Sequence, residues 1–297
     1  MIRSIRWRVG GALLLLAPVV IPAQGADTEQ VPERPPVGIV ARPCPPPITP
    51  APAVRDLLVE LFIQPRTLVA ADIERLVKDP QFRTFEDANR RLAARDWPGI
   101  CRFSAANEAV LAAGRAPRVV FMGDSITENW ALADPSFFDG GVVNRGISGQ
   151  TTAQMLVRFW ADVVTLHPKL VHILAGTNDV AGNTGPSRAQ DLQNNIMAMV
   201  EIARANGIRV VLGSIPPTAS FNWQPGIDPV PTIRALNTWL RDYAARQRIP
   251  YIDYYALLTG SAGELRPELG NDGVHPNRVG YGLMRKQFER QLAATAR

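Results

Sequence analysis

Ser125, in the stretch VVFMGDSITENW, and the pair Asp272 and His275, in NDGVHPN, are residue types that acyl-transfer chemistry requires. That chemistry needs a hydroxyl, a base to take its proton, a carboxylate behind the base, and donors for the oxyanion that develops. Ser125 supplies the hydroxyl and His275 the base. Asp272 stands three residues before His275 across Gly273, so it can curl back to accept from the imidazole Nδ1 and fix its tautomer. The oxyanion donors would be the Ser125 N–H, the Gly149 N–H and the Asn178 side-chain amide. Each residue also has a structural explanation when taken singly. A serine after a strand is a common helix N-cap, Gly149 can supply a positive φ, Asn178 suits a turn or cap, and His275 suits a solvated loop. The combination favours the catalytic reading.

Counting histidines narrows the choice of base. The chain has three. His167, in LHPK, follows a helix, and His172, in LVHIL, falls mid-strand, so both read as structural. The pattern G-x-S-x-G is absent, because Thr127 stands where its second glycine would be, which excludes the nucleophile elbow of the α/β-hydrolase fold. Asp124 and Asp179 flank Ser125 and Asn178 and are expected to brace their turns by local hydrogen bonds.

The elements that must position these residues follow from the hydrophobic pattern. Apolar, β-rich runs occur at RVVFMG, GGVVNRG, LVHILAG, IRVVLGSIP and IPYIDYY, within residues 118–255. Helical-period segments lie between most of them (TTAQMLVRFWADVVTL, RAQDLQNNIMAMVEIARANG and PTIRALNTWLRDYAARQR), and NRVGYGLMRKQFERQLAATA follows the last. Strands alternating with helices predict an α/β domain over residues 116–297, with a five-stranded parallel sheet covered on both faces. Ligands in such sheets bind beyond the carboxyl ends of the strands. Ser125, Gly149, Asn178 and the Asp272–His275 pair all fall in glycine-marked turns at or beyond such ends.

The chain before that domain has three textures. Arg3, Arg6 and Arg8 precede an apolar run and a small-residue exit, so residues 1–26 read as an export signal peptide rather than a membrane span, and the protein is expected to be secreted or periplasmic. Its removal takes three positive charges and no negative ones, lowering the net charge from +5 to +2. A mature chain so near neutrality, with no basic block interleaved with aromatics, is not a nucleic-acid binder. Residues 27–53 are a proline-rich arm that cannot be helical. Residues 54–115 carry helical spacing, as at Val54, Leu57, Leu58, Leu61 and Phe62, and form a small helical extension. Cys44 and Cys101 lie in the exported part, where an oxidising compartment favours a disulfide over two buried thiols.

The blocks GDSIT, NRGISGQTT, GTND and DGVHPN, in that order, closely resemble the SGNH (GDSL) hydrolase family, over about Arg118 to the C-terminus. The resemblance implies a flavodoxin-like three-layer α/β/α fold and ester hydrolysis through an acyl-enzyme on Ser125. It implies Asp272 and His275 as the rest of the triad, Gly149 and Asn178 as oxyanion donors, and neither metal nor cofactor. The region before Arg118 is not explained by it. The loop IPPTASFNWQPGIDPVPTI is long enough to shape a substrate site. Phe221 and Trp223 in it, with Asn129 and Trp130 beside the serine, are candidate substrate contacts or packing residues. No basic amphipathic surface helix is evident, and stable membrane insertion after signal cleavage is not expected. The expected substrate is a short-chain ester, with O-acetyl groups on carbohydrate as the leading form. A lysophospholipase- or thioesterase-type acylhydrolase, acyl transfer to a sugar hydroxyl, and a non-catalytic binding module are the alternatives.

Overall fold

The computed structural model describes residues 38–40 and 43–295; the expected signal peptide lies outside them. The chain enters through α1 (Pro52–Leu58), which continues into a π-helical turn over Val59–Ile63, then α2 (Ala70–Lys78), α3 (Pro80–Ala93) and α4 (Ser104–Ala112). The first helix begins two residues inside the segment expected to be non-helical. Proline is well suited to a first helical position, where its missing N–H forfeits no bond. Cys44 and Cys101 form a disulfide.

The α/β part alternates as the pattern predicts. Strand β1 (Val119–Gly123) leads to α5 (Ser125–Ala133), and β2 (Val142–Gly146) to α6 (Thr152–Asp162). Strand β3 (Leu170–Leu174) is followed by the single turn α7 (Thr177–Val180) and by α8 (Ala189–Ala205). Strand β4 (Arg209–Gly213) precedes α9 (Val230–Gln247), β5 (Tyr251–Ile252) and α10 (Tyr254–Leu258), and α11 (Arg278–Thr295) ends the described chain. All five strands are parallel in the order β2-β1-β3-β4-β5.

Successive strand residues face opposite sides of a sheet. Val119 and Phe121 pack with residues of α1, α5 and α11, whereas Val120 and Met122 pack with residues of α6, α8 and α9. Two apolar layers thus sandwich the sheet, giving the three-layer fold of the SGNH hydrolases. The helical lead-in has no core of its own, because Val54, Leu58, Phe62, Leu76 and Phe82 join the same apolar cluster as Phe121, Trp130 and Phe288. The β1–β2 connection runs on one face and the β2–β3 connection on the other. A crevice therefore opens between the carboxyl ends of β1 and β3, the expected place for a ligand.

Candidate active site

Asp124 ends β1 in extended geometry and its Oδ1 accepts from the Ile126 N–H at 2.9 Å. That cap stops the strand and starts α5, so Ser125 becomes the first helical residue, at the crevice. Gly146 then lets the end of β2 close on the same helix. A Cβ there would lie 2.2 Å from the Glu128 nitrogen, so any side chain would force the two apart. Gly149 follows with φ +78°, a conformation L side chains rarely adopt.

Across the crevice, Asp272 Oδ1 accepts from the backbone N–H groups of Val274 and His275 at 2.9 and 2.8 Å. This turn leaves Oδ2 facing the His275 Nδ1 at 2.6 Å, and His275 Nε2 lies 2.9 Å from Ser125 Oγ. An ionised carboxylate only accepts, so Nδ1 carries the hydrogen and Nε2 is left to accept from the serine hydroxyl. Burial acts to lower the His275 pKa, but the Asp272 carboxylate outweighs it and holds the imidazole above its ordinary value. Burial alone would raise the Asp272 carboxyl, yet His275 and the two backbone donors pull it below the usual range. Asp124, although it accepts from the Ile126 N–H, is deeply buried and is pushed up to about 7 by that burial.

Asn178 Nδ2 donates to the Gln150 carbonyl at 3.1 Å and lies 3.4 Å from Asp124 Oδ2. Its orientation is fixed from behind by Asn183, whose Nδ2 donates to Asn178 Oδ1 at 2.7 Å and to the Gly149 carbonyl at 3.2 Å. One amide therefore holds the Asn178 oxygen and the Gly149 carbonyl together. Trp223 Nε1 in turn donates to Asn183 Oδ1 at 2.9 Å. A further brace comes from Glu128 on α5, whose Oε2 accepts from Ser148 N at 2.8 Å and Ser148 Oγ at 2.6 Å. Its other oxygen meets Arg102 Nη2 at 2.9 Å in a buried ion pair. Neither Asn183 nor Glu128 was singled out from sequence. The signals were faint: an asparagine five residues after Asn178, and an acid in the first turn of α5.

Ser125, Gly149, Asn178, Asp272 and His275 line one cavity of about 340 Å³. Of the four candidate substrate contacts, Trp223 lines it and the others do not. Trp130 is fully buried, stacked on Phe137 at 5.5 Å and set edge-on to Phe121. It lies four residues from Ile126 on the core face of α5, so it is a packing residue. Asn129 is buried one turn down the helix from the crevice, and Phe221 is buried against Ala181 and Val274. Asp179 accepts from Thr152 N at 3.0 Å and Thr152 Oγ1 at 2.5 Å, so it ties the Asn178 turn to the start of α6 instead of bonding locally as expected. His172 is enclosed in the core 3.1 Å from the Tyr254 hydroxyl, its pKa pushed down to about 3 by burial. His167 closes a helical turn with φ +50°. Another cleft, of about 350 Å³, lies at the opposite ends of the strands around Gly207, Arg209 and Arg248, with neither serine nor histidine in its lining. Among the described residues no cluster of side chains suits a metal ion.

Residues 121–283 match the profile of the GDSL-like lipase/acylhydrolase family. The chain belongs to that family. As a GDSL acylhydrolase it is a carboxylic ester hydrolase. It is 33% identical over 180 residues to Esterase TesA of Pseudomonas aeruginosa, covering 54% of this chain and 80% of the relative. The crystal structure of a GDSL-like lipase from Bacteroides thetaiotaomicron superposes with TM-score 0.63 at 40% identity, covering 67% of this chain and 98% of that one. A protein of Bacteroides fragilis superposes with TM-score 0.64 at 42% identity, covering 68% and 99%. The GDSL profile begins inside β1, so the helical lead-in lies outside the matched region.

Proposed function

We propose that the protein is an exported serine esterase in which Ser125 forms the acyl-enzyme, His275 moves the proton, and Asp272 orients the histidine and stabilises its protonated form. The observation that carries this reading is the Ser125–His275–Asp272 chain of contacts, at 2.9 and 2.6 Å, opening on the cavity. Ser125 Oγ attacks the ester carbonyl carbon as its proton passes to His275 Nε2. The carbonyl oxygen becomes an oxyanion facing the donors Ser125 N–H, Gly149 N–H and Asn178 Nδ2. Collapse expels the alcohol, which takes the proton back from Nε2. Water then repeats the sequence on the acyl-enzyme, releasing the acid and restoring the serine.

Export is supported by the basic-then-apolar N-terminal pattern and by the disulfide, a bond that persists in oxidising compartments. Among the described residues no helix is long and apolar enough to cross a membrane. The sequence points to a short acyl group, with O-acetyl carbohydrate as its leading form, whereas the apolar side of the cavity favours a longer chain. The test is Ser125→Ala. It is expected to lose at least about 10⁴-fold in turnover of p-nitrophenyl acetate and to lose labelling by a fluorophosphonate, with thermal unfolding preserved. Retained turnover or labelling would overturn the assignment of Ser125.

A further inference from the structure

The cavity has two dissimilar sides. The matched family region gives it Ser125, Gly149, Asn178, His275 and their polar neighbours, with Trp223 as its one large apolar residue. The remaining apolar lining comes from the lead-in, in Phe62, Leu68, Ile73, Leu76, Val77 and Phe82. Phe62, Leu76 and Phe82 are also core residues, so this wall is rooted in the sheet packing. Leu68, Ile73 and Val77 are only half-buried and present apolar surface to the cavity.

The wall is also pinned to the catalytic loop. Asn271, the residue before Asp272, donates through Nδ2 to the carbonyls of Leu61 at 2.8 Å and Gln64 at 2.7 Å. Its Oδ1 accepts from Arg66 N at 3.4 Å. The Arg66 guanidinium then grips both oxygens of Asp72, at 2.8 Å each, and so ties the connecting loop to α2. The apolar surface is thereby held in register with the triad.

We propose that residues 62–82 are the alkyl-binding wall of this esterase, and that its substrate is an ester carrying an alkyl chain well beyond acetyl length. The proposal rests on the Ser125 assignment. A wall of aliphatic and aromatic side chains contributes no charge or hydrogen bond to a ligand and gains only by covering apolar surface. A methyl group would leave most of it in water. Each further methylene that reaches it should raise kcat/KM about fourfold, the equivalent of removing one CH₂ from water. The chain can belong to the acyl or to the alcohol part of the ester, and the two are separable by experiment.

The test measures kcat/KM on the full chain with two substrate series. One is p-nitrophenyl acetate, butyrate, hexanoate and octanoate. The other is ethyl, butyl, hexyl and octyl acetate. Two variants accompany the wild type: Ala70→Trp, at an exposed residue that also lines the cavity, which adds bulk there without removing a core contact, and Ile73→Ser, which removes apolar surface. The expected result is a rise with chain length in one series, with both variants lowering the ratio of longest to shortest substrate at least tenfold. A flat profile in both series, or a rise that both variants leave intact, would overturn the proposal. If the acetate activity depends on Ser125 while the profile is flat, the wall alone fails. Activity that survives Ser125→Ala would instead remove the nucleophile assignment.

Discussion

Asp272 accepts from the His275 ring at 2.6 Å and from two backbone N–H groups, so its charge is held and aimed at a single partner. The consequence is a pH dependence with a definite sign. A base works when neutral, and Asp272 raises the pKa of His275 above the ordinary histidine value of about 6.5. Activity should therefore fall as pH drops through an apparent pKa above that value. Asp124, pushed up to about 7, also favours protonated His275 when ionised, so the limb belongs to the two groups together. Asp272→Asn keeps the shape of the side chain but removes the charge. It should cost about 10⁴-fold in kcat and move the acid limb of the residual activity to lower pH. A pH–rate profile of both proteins checks this, and an unmoved limb would contradict the role given to Asp272.

The elements that present the proposed oxyanion donors are held by a side-chain brace as well as by backbone bonds such as Ile147 N–H to the Gly123 carbonyl at 3.1 Å. Beyond β2 the chain leaves the sheet, and Glu128 on α5 takes both donors of Ser148, the residue before Gly149. Burial acts to raise the Glu128 carboxyl, against the pull of Arg102 and Ser148. Glu128→Gln leaves Arg102 facing a neutral partner and weakens the grip on Ser148. Breaking a buried pair of this kind costs about 3–5 kcal/mol, and a displacement of about 1 Å in a positioned donor costs about 10²-fold in rate. The expected result is a lower kcat with little change in KM, alongside a lower unfolding midpoint. A purely structural role would lower the midpoint and leave kcat per folded molecule intact. The strands and the helices after them were legible in sequence because buried parallel strands are continuous apolar runs and their helices carry a 3.6-residue period. The loops carrying Ser125, Gly149, Asn178 and His275 were legible because glycine and small polar residues mark strand ends. Glu128 and Asn183 were not, because Glu128 acts on Ser148, 20 residues away, and Asn183 gains its bridging role only through Gly149, 34 residues away. The choice between substrate contact and packing stayed open for Trp130 in sequence, because adjacency to Ser125 does not say which face of α5 it occupies; the structure puts it on the core face.

At the scale of the molecule, the lead-in is part of the hydrolase core and also lines the cavity of the proposed active site. Local periodicity predicted the helices of residues 54–115 but not their destination, which depends on contacts between Leu61 or Gln64 and a loop more than 200 residues on. The disulfide also ties this arrangement together. Cys44 and Cys101 are 57 residues apart, so the bond encloses α1, α2 and α3, and with them the apolar wall. Confining a loop of that length in the unfolded chain stabilises the folded one by about 4 kcal/mol in the chain-entropy account. Cys101 also precedes Arg102, whose Nη1 donates to the Ile48 carbonyl at 3.4 Å and whose Nη2 reaches Glu128. Reduction should therefore lower the thermal midpoint by on the order of 10 °C. It should also reduce the proposed preference for long-chain over short-chain esters, because the strands and the proposed triad keep their own packing while the enclosed wall loses a tether. Thermal unfolding and the octanoate-to-acetate ratio, measured with and without a reductant and repeated on Cys44→Ser, check both parts. A midpoint that does not move would show that the bond constrains nothing the fold does not already hold. A lowered midpoint with an unchanged ratio would confine its effect to stability.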